Sequence, residues 1–491
     1  MMPSERRLHP LSILFAVTST LRAFLIPLLL LLFAARSSYE LWVGVMVFPA
    51  LVGALVRYIS YRYTLTSEEL VIRSGLIFKN ERHIPYSRIH NLASVQNPLH
   101  RLLGVVEVRV ETGGGAEPEA RMRVLSAAAR DELRRCVLSE RSSTDGAEDG
   151  APPAVPATPE RRSILRLPMK ELFLQGFINN RGALVAGGAV GLLYQFDFFS
   201  SDQSILRGAF GALGELDGVV SRVLAVAAMV LGFLVLLWIL SIAWSVVSLY
   251  GFHVRSNGKE LRTTYGLLTR NTSTIPLHRI QLLSVDDRPL QRLFDRVEVH
   301  ADTAGGKPTD FDSARHPKLA PLLRRSMLGR FVGDVQPGID LDGVAWNPVH
   351  GSARRRIFRS WIRMGVLLTA LAVAGLGPWG ALVLAPVLTL GWIDAKLQAR
   401  AWQWAVLPDA VLCRSGWIRR RLTLTRVAKI QSLSIAESPF DRRWGMARLR
   451  IDTAGGKTRG PRLQLRFLDA AVARRLLDSL GAQAAATTLR W

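Results

Sequence analysis

The sequence predicts an α+β membrane protein in which about six transmembrane helices, arranged as three hairpins, alternate with three small β-domains. Three observations give this prediction: long apolar stretches, an internal repeat without gaps, and segments that alternate apolar and polar residues inside each repeat. Each β-domain is expected to be a barrel or sandwich of six or seven short strands, capped by a C-terminal helix.

The apolar stretches are long enough to cross a bilayer. Of the 491 residues 49% are hydrophobic, which excludes a disordered polymer. The run from Val223 to Leu240 contains no charged residue, and a helix needs about 20 such residues to cross a core of about 30 Å. The predicted spans fall in pairs: 18–36 with 40–58, 182–196 with 222–249, and 363–377 with 379–395.

The distribution of charge orients these spans. The formal charge is +24, from 63 Lys+Arg against 39 Asp+Glu. Arginines such as Arg57, Arg166 and Arg359 flank the hairpins, whereas the links within the hairpins are short or acidic. The positive-inside rule therefore places both termini and all three β-domains in the cytoplasm of a multi-pass protein of the cytoplasmic (inner) membrane. Contact with anionic lipid headgroups explains this charge more simply than nucleic acid does.

A threefold repeat is the strongest signal in the sequence. A Thr that opens a Gly-rich turn follows Gly75, Gly266 and Gly416 by 37 residues each time. Between these points the register is kept, with a Pro at +23 and an Arg at +26. These recurring residues are Pro98, Pro289, Pro439, Arg101, Arg292 and Arg442. The chain therefore contains three copies of one module.

Each copy follows the same order of elements. Segments of period two, such as 106–110, predict strands, and the amphipathic stretches 127–138, 316–328 and 469–480 predict terminal helices. Upstream of each hairpin a Pro precedes a mixed basic and apolar stretch, which predicts an interfacial helix. These stretches are Pro10 to Arg22, Pro168 to Arg181 and Pro348 to Arg363.

The repeat resembles a known family. The runs 84–89 (Ile-Pro-Tyr-Ser-Arg-Ile), 275–280 (Ile-Pro-Leu-His-Arg-Ile) and 289–294, with the closing Thr-Ala-Gly-Gly, are similar to bacterial membrane proteins that carry the type 2 bacterial pleckstrin-homology (PH) domain, specifically the YdbT-like members with three such domains. The third copy departs, because Thr425-Arg426 replaces Ile-Pro, and its strand entry is expected to differ. The resemblance implies a PH-like barrel in each copy and a non-enzymatic role at the membrane.

The resulting domain boundaries alternate membrane and cytoplasmic segments. They are 8–59 (interfacial helix and hairpin 1), 60–140 (PH-like domain 1), 141–160 (flexible linker), 161–249 (interfacial helix and hairpin 2), 250–328 (PH-like domain 2), 329–347 (linker), 348–395 (interfacial helix and hairpin 3) and 396–482 (PH-like domain 3).

No motif in the sequence points to catalysis. The nine histidines show no metal-ligand spacing, and neither a phosphate-binding P-loop nor a nucleophile elbow occurs. The two cysteines, Cys136 and Cys413, are too few for a disulfide framework and are expected to be ordinary buried or half-buried thiols. The sequence therefore predicts no enzyme, no cofactor and no metal.

Basic residues in the turns are the candidate contacts for an anion, a lipid or a partner. Gly-rich turns next to Lys307 and Lys457 suit an anion nest, although a plain hairpin turn that needs positive φ is the simpler explanation. The recurring arginines at +26 suit either phosphate binding or a loop that caps the barrel. The full set is Arg101, Arg292, Arg442, Lys307, Lys457, Arg419, Arg420 and Arg421.

Two functions remain open at this stage. The first is a non-catalytic membrane protein that presents three binding modules, as a scaffold or a partner- or lipid-binding subunit of a membrane complex. Its expected partners are the lipid bilayer, anionic lipid headgroups and a second membrane protein of the same family. The alternative is a component of a transport or export/resistance system. Acidic residues are nearly absent from the spans, Asp394 being the exception, and this favours the first.

Overall fold

A computed structural model describes most of the three repeated β-rich segments and part of the apolar stretches. The described residues are 6–7, 12, 52, 59–75, 79–86, 89–112, 120–145, 162–179, 219–303, 318–454 and 463–486. They divide into two compact units, and the boundary falls inside the second copy of the repeat, close to Ile275.

The strands and helices follow the repeat along the chain. The first copy consists of β1 (Arg6–Arg7), β2 (Arg62–Leu65), β3 (Glu69–Ser74), β4 (Asn80–Pro85), β5 (Ile89–Gln96), α1 (Pro98–Leu102), β6 (Val105–Thr112), β7 (Ala120–Ser126) and α2 (Ala127–Asp145). The second consists of β8 (Arg162–Arg166), α3 (Met169–Ile178), α4 (Val219–Leu249), β9 (His253–Ser256), β10 (Glu260–Tyr265), β11 (Arg270–Pro276), β12 (Ile280–Asp287), α5 (Pro289–Leu293), β13 (Arg296–Thr303), β14 (Lys318–Arg324) and α6 (Leu328–Val335). The third consists of β15 (Asn347–Pro348), α7 (Ala353–Leu376), α8 (Leu384–Ala401), β16 (Gln403–Val406), β17 (Ala410–Ser415), β18 (Arg420–Arg426), β19 (Ile430–Ala436), α9 (Pro439–Arg443), β20 (Met446–Thr453), β21 (Leu463–Asp469) and α10 (Ala470–Ala486).

The glycines that define the repeat occupy equivalent turns. Gly75, Gly266 and Gly416 all have positive φ, at 94°, 109° and 78°. Each follows the third strand of its copy (β3, β10 or β17), where the chain reverses. A Cβ atom at Gly266 would lie 2.0 Å from the carbonyl oxygen of Thr269, so both conformation and space require glycine.

Neighbouring copies share β-sheets. The four sheets have the orders β1-β2-β3-β4, β7-β6-β5-β11-β10-β9-β8, β14-β13-β12-β18-β17-β16-β15 and β19-β20-β21. The last three strands of the first copy therefore continue into the sheet that opens the second copy, and the second copy continues into the third in the same way. The sequence predicts three separate β-domains, and this continuity is what it misses.

The cores of the first and third copies lie between two sheets and a helix. In the first copy Leu70 and Tyr86 meet Val106 and Met122 from the other sheet and Leu133 of α2. In the third copy Val411 and Leu449 pack with Ala473 and Leu480 of α10 in the same way. The expectation of a barrel or sandwich capped by a helix agrees with both arrangements.

The terminal helix expected at 316–328 is wrong. Lys318–Arg324 is instead a strand that pairs with β13, and the helix α6 follows at Leu328–Val335, inside the expected linker 329–347. Proline has no backbone N–H group to donate to a neighbouring strand. Pro321 is tolerated in β14 because the register with β13 shifts between Val297 and His300, so not every residue of β14 has to donate to β13.

Two smaller expectations are also corrected. Helix α2 extends to Asp145, past the expected linker boundary at 141. At Thr425-Arg426 the third copy does not differ, because β18 runs to Arg426 and a 3₁₀ turn follows at Val427–Lys429. The same turn follows β11 at Leu277–Arg279.

In the part of the chain that the structure describes, two stretches are long and apolar enough to cross a membrane. They are Val223–Leu249 and Ala353–Ala401. The second contains α7 and α8, which pack against each other after a 3₁₀ turn at Gly377–Val383. The expected interfacial helix at 348–363 is therefore not separate: α7 runs from Ala353 to Leu376 without a break. The spans 18–36, 40–58 and 182–196 lie almost entirely outside the described residues, so six spans remain a prediction.

Candidate functional site: a cationic cleft where two modules join

The junction between the second and third copies rests on a ladder of strands. β12 pairs antiparallel with β18, from Leu283 opposite Leu424 to Asp287 opposite Arg420. Every residue of β12 is buried. Thr425 adds a buried hydrogen bond, donated by its hydroxyl to the carbonyl oxygen of Gln281 at 2.7 Å. Two carboxylates, those of Asp286 and Asp287, are thereby buried in the junction.

Asp286 is held by two arginines of the third copy. Arg421 donates from Nε (2.6 Å) and Nη2 (3.0 Å), and Arg419 donates from Nη2 (2.7 Å). Burial by itself raises the pKa of Asp286, but the hydrogen bonds and charges of Arg421 and Arg419 outweigh it, and the pKa is lowered. Asp286 is therefore an ionised carboxylate inside a β-sheet, compensated by the neighbouring copy.

The recurring arginines at +26 clamp each junction. Arg292 Nη1 donates to the carbonyl oxygen of Trp417 (2.9 Å) and Nη2 to that of Ile418 (2.8 Å). At the first junction Arg101 Nη1 donates to the carbonyl oxygen of Leu267 at 2.9 Å. In both cases the acceptor follows the glycine that starts the next copy's turn. The repeated arginine thus forms hydrogen bonds with the repeated turn of the following module.

Beside the second junction lies a cleft of about 790 Å³. Strand β17, the turn at Gly416, the start of α6 and the last turn of α8 all contribute to its wall. Its charged lining consists of Arg292, Arg325, Arg400, Arg414, Arg420, Arg421, Asp287 and Asp342. Because α8 belongs to an apolar stretch long enough to cross a membrane, the cleft opens at the end of a candidate span.

Positive charge in the cleft exceeds negative charge. Asp287 pairs with Arg325, and Arg292 Nε lies 3.9 Å from its carboxylate. Burial raises the pKa of Asp287, although Arg325 and Arg292 oppose the shift. The pKa of Arg414 is lowered by burial and by the nearby charges of Arg325 and Arg420. A bound anion would relieve this repulsion.

The cleft is tied to the helical hairpin through Asp394. Its carboxylate accepts hydrogen bonds from the indole N–H of Trp361 (2.8 Å) and of Trp417 (2.7 Å), and from Gln398. Trp417 belongs to the same turn that Arg292 clamps. The acidic residue at the end of the last span therefore has a structural role, joining α7 and α8 to the third module.

The predicted site residues have separate positions. Arg292, Arg420 and Arg421 line the cleft, whereas Arg419 holds Asp286 and Arg101 lies at the first junction. Arg442 is exposed on α9. Lys307 and Lys457 lie outside the described residues. Their binding of an anion, lipid or partner stays a prediction for all eight.

Three arginines of the cleft were missed by sequence reasoning, namely Arg325, Arg400 and Arg414. Arg325 directly follows β14, whereas Arg400 belongs to α8 and Arg414 to β17, and no local spacing links the three. The two cysteines are as expected, Cys136 half-buried and Cys413 buried. Among the described residues no group of His, Cys, Asp and Glu could hold a metal ion.

Comparison with known proteins identifies the repeated module. The family model of the bacterial PH domain matches residues 14–141, 209–327 and 364–484. The chain belongs to this family. It is similar to the UPF0699 transmembrane protein YdbT of Bacillus subtilis (strain 168), with 21% identity over 476 residues that cover 90% of this chain and 91% of that protein. No solved structure matches the chain.

The family assignment agrees with the resemblance drawn from the three repeated runs. Each matched region contains one copy of the repeat together with apolar sequence that precedes it. The relative is a transmembrane protein, and the family is described by a domain rather than by a reaction.

Proposed function

We propose that this bacterial PH domain protein is a non-catalytic scaffold of the cytoplasmic membrane, which presents its modules as a joined array and binds anionic lipid headgroups in the cleft beside the second junction. The observation that carries the proposal is the excess of arginine in a cleft of about 790 Å³ at the end of α8. Arginine binds phosphate groups in a bidentate manner, and the end of a span lies at headgroup depth.

Continuity of the sheets supports the scaffold role. At each junction strands of one copy are hydrogen-bonded to strands of the next, which links neighbouring modules through the backbone. A relay of acidic groups, which an ion-coupled transporter needs inside the membrane, has no support in α7 and α8, where Asp394 is bound by Trp361 and Trp417. The arginines near the start of α7 support a cytoplasmic orientation, since Arg356 bonds to Asp441 at 3.1 Å and Arg359 stacks on Trp444.

The test compares lipid retention by full-length variants. Arg414→Gln with Arg420→Gln removes two positive charges from the cleft, whereas Arg443→Gln with Arg475→Gln removes two exposed charges elsewhere in the third module. Each protein is purified in detergent with equimolar phosphatidylglycerol and phosphatidylcholine, and bound lipid is counted by native mass spectrometry.

We expect the wild type and the surface variant to retain phosphatidylglycerol preferentially. The cleft variant should lose about 30-fold in retention, because a basic residue at the membrane surface contributes about 1 kcal/mol. Adding inorganic phosphate separates a phosphate site from a lipid site. A site for lipid retains phosphatidylglycerol when phosphate is added, whereas a site for free phosphate releases it. Equal retention by both variants, or retention of both lipids alike, would refute the proposal.

A further inference from the structure

The two internal junctions use the same register of the repeat. Counting from the glycine of each copy, residue +21 of one copy lies opposite residue +4 of the next: Gln96 opposite Arg270, and Asp287 opposite Arg420. The arginine at +26 then closes each junction on the turn of the next copy. The junction is therefore itself a repeated structure.

The first and last copies each have one of these strands at the end of a sheet. β4 holds the place of β11 and β18, and it is the last strand of its four-stranded sheet. β19 holds the place of β5 and β12, and it is the first strand of its three-stranded sheet. Among the described strands, β3 is the neighbour of β4 and β20 is the neighbour of β19. One half of a junction is thus present in the first copy and the other half in the last copy.

Exposure of these two strands reflects their position. Every residue of β12, which pairs with β18, is buried, whereas Gln431, Ser432 and Ser434 of the equivalent β19 are exposed. In β4 the first four residues are exposed, whereas Leu424 and Thr425 of β18 are fully or almost fully buried. The missing neighbour accounts for the difference.

β19 also lacks the features that protect an edge strand. Its sequence, Ile430-Gln-Ser-Leu-Ser-Ile-Ala436, contains no charged residue and no proline, whereas natural edges usually have lysine, proline or a bulge that blocks pairing. The irregularity between Ile430 and Ser432 is no obstacle, because β12 has the same irregularity between Ile280 and Leu282 and still pairs. β19 therefore keeps a strand surface that is able to pair.

Charge at the two edges is complementary in the junction register. Placing +21 opposite +4 brings Glu437 opposite Lys79, just as Asp287 lies opposite Arg420. Lys79 is exposed, and Glu437 lies 4.0 Å from Arg474, at the limit of an ion pair. Arg442 is exposed at the +26 position, the position that Arg101 and Arg292 hold at the internal junctions.

We propose that β19 of one copy of this chain pairs antiparallel with β4 of a second copy, in the register of the internal junctions. The two surfaces differ, so the interface is heterologous and joins copies head to tail, into a closed ring or an open chain. The partner of the array is then a second copy of itself, and each interface adds one more junction of the kind already present twice in the chain.

The register is tested by cysteine cross-linking between two differently tagged full-length copies, both with Cys136→Ala. One carries Ala436→Cys and the other carries Asn80→Cys, which are positions +20 and +5 and correspond to Asp286 and Arg421. The matched control replaces Asn80→Cys with Glu81→Cys, whose side chain points to the opposite face of the sheet. We expect a disulfide between the tags in membranes, formed at least tenfold faster than in the control.

A charge exchange tests the same register without cysteines at the contact. Glu437→Lys should slow the cross-link of 436 with 80 about fivefold, because like charges then face each other. Adding Lys79→Glu in the partner copy should restore the rate. Rescue distinguishes a contact from a folding defect. If each substitution damaged folding, combining the two would slow the cross-link further instead of restoring its rate.

Several outcomes would overturn the proposal. They are no product between tags, equal rates for the in-register and control pairs, or no rescue by the charge exchange. When one chain carries both cysteines, a disulfide-linked product of monomer mass, without any product between tags, would show that β4 and β19 of the same chain pair with each other. A product with a different membrane protein alone would assign these edges to another partner.

Discussion

The ion pairs of Asp286 predict an asymmetric response to mutation at the second junction. The side chain of Asp286 is 3% exposed, whereas that of Arg421 is 32% exposed. In Asp286→Ala both arginines turn towards water. In Arg421→Ala the carboxylate stays buried with Arg419 as its partner. A charged hydrogen bond contributes about 1.5–3 kcal/mol, and an unpaired buried charge costs about 3–5 kcal/mol. We therefore expect the free energy of opening the junction to fall by about 3 kcal/mol in Arg421→Ala and by about 1–2 kcal/mol in Asp286→Ala.

Hydrogen exchange of the amides of β12 and β18 in the detergent-solubilised protein measures these losses locally. A loss of about 3 kcal/mol lowers their protection factors by roughly 150-fold, if opening of the junction limits exchange. The matched control is Asn271→Ala, which holds the position of Arg421 at the first junction, opposite the uncharged Val95. We expect it to change protection of β5 and β11 by less than about fivefold.

The stability cost of Arg421→Ala should depend on pH, because the variant changes the pKa of Asp286. In the wild type the lowered pKa of Asp286 contributes stability that is present above the unfolded pKa and is lost as pH falls through the folded value. In Arg421→Ala burial is opposed by Arg419 alone, so the pKa rises relative to the wild type. The deficit of the variant should therefore shrink as pH falls. Equal costs for Asp286→Ala and Arg421→Ala, with no pH dependence, would refute the reasoning.

Four further predictions concern other sites. Gly416→Ala should lower the apparent Tm more than Gly445→Ala, because a Cβ atom at Gly416 would lie 2.1 Å from the carbonyl oxygen of Arg419, whereas at Gly445 nothing lies within 4 Å; similar shifts would contradict this. Trp417→Phe should lower the free energy of unfolding by about 1.5–3 kcal/mol and lower the apparent Tm, because it removes the donor to Asp394. Trp392→Phe, on the exposed side of α8, should leave the apparent Tm nearly unchanged. Burial raises the pKa of Cys413 to about 12, so at pH 8 a maleimide should label it only after unfolding, and rapid labelling of the native Cys136→Ala protein would disprove this. Alkaline phosphatase fused after Gly150 or after Trp491 should be inactive in intact cells, since both sites are expected in the cytoplasm, and activity at either would overturn the orientation.

The repeat and most of its elements could be predicted because local rules decide them. Gly75, Gly266 and Gly416 were recognisable since a tight reversal requires positive φ, and the strands showed their period of two. The failure at 316–328 has a local cause too, since Lys318–Arg324 has apolar residues on both faces and its pattern fits a helix as well as a strand.

The cleft and its ion pairs could not be predicted in full. The acidic pair at Asp286 and Asp287 and the basic run from Arg419 to Arg421 are both visible in the sequence, and their positions in neighbouring copies are complementary. What was missing was the knowledge that one copy's strand lies against the next copy's strand. Without it, Arg419 to Arg421 look like a solvated surface run rather than the wall of a junction.

By itself the sequence determined the number of copies, the order of their strands and the apolar stretches, because residues close along the chain set backbone conformation and hydropathy. Only the tertiary structure decided that β5 pairs with β11 and β12 with β18, that Arg101 and Arg292 bind the next copy's turn, and that arginines from distant elements meet in one cleft. The physical reason is that an edge strand offers the same row of backbone donors and acceptors whatever its neighbour is. Pairing is then chosen by side chains more than a hundred residues apart, such as Asp286 and Arg421.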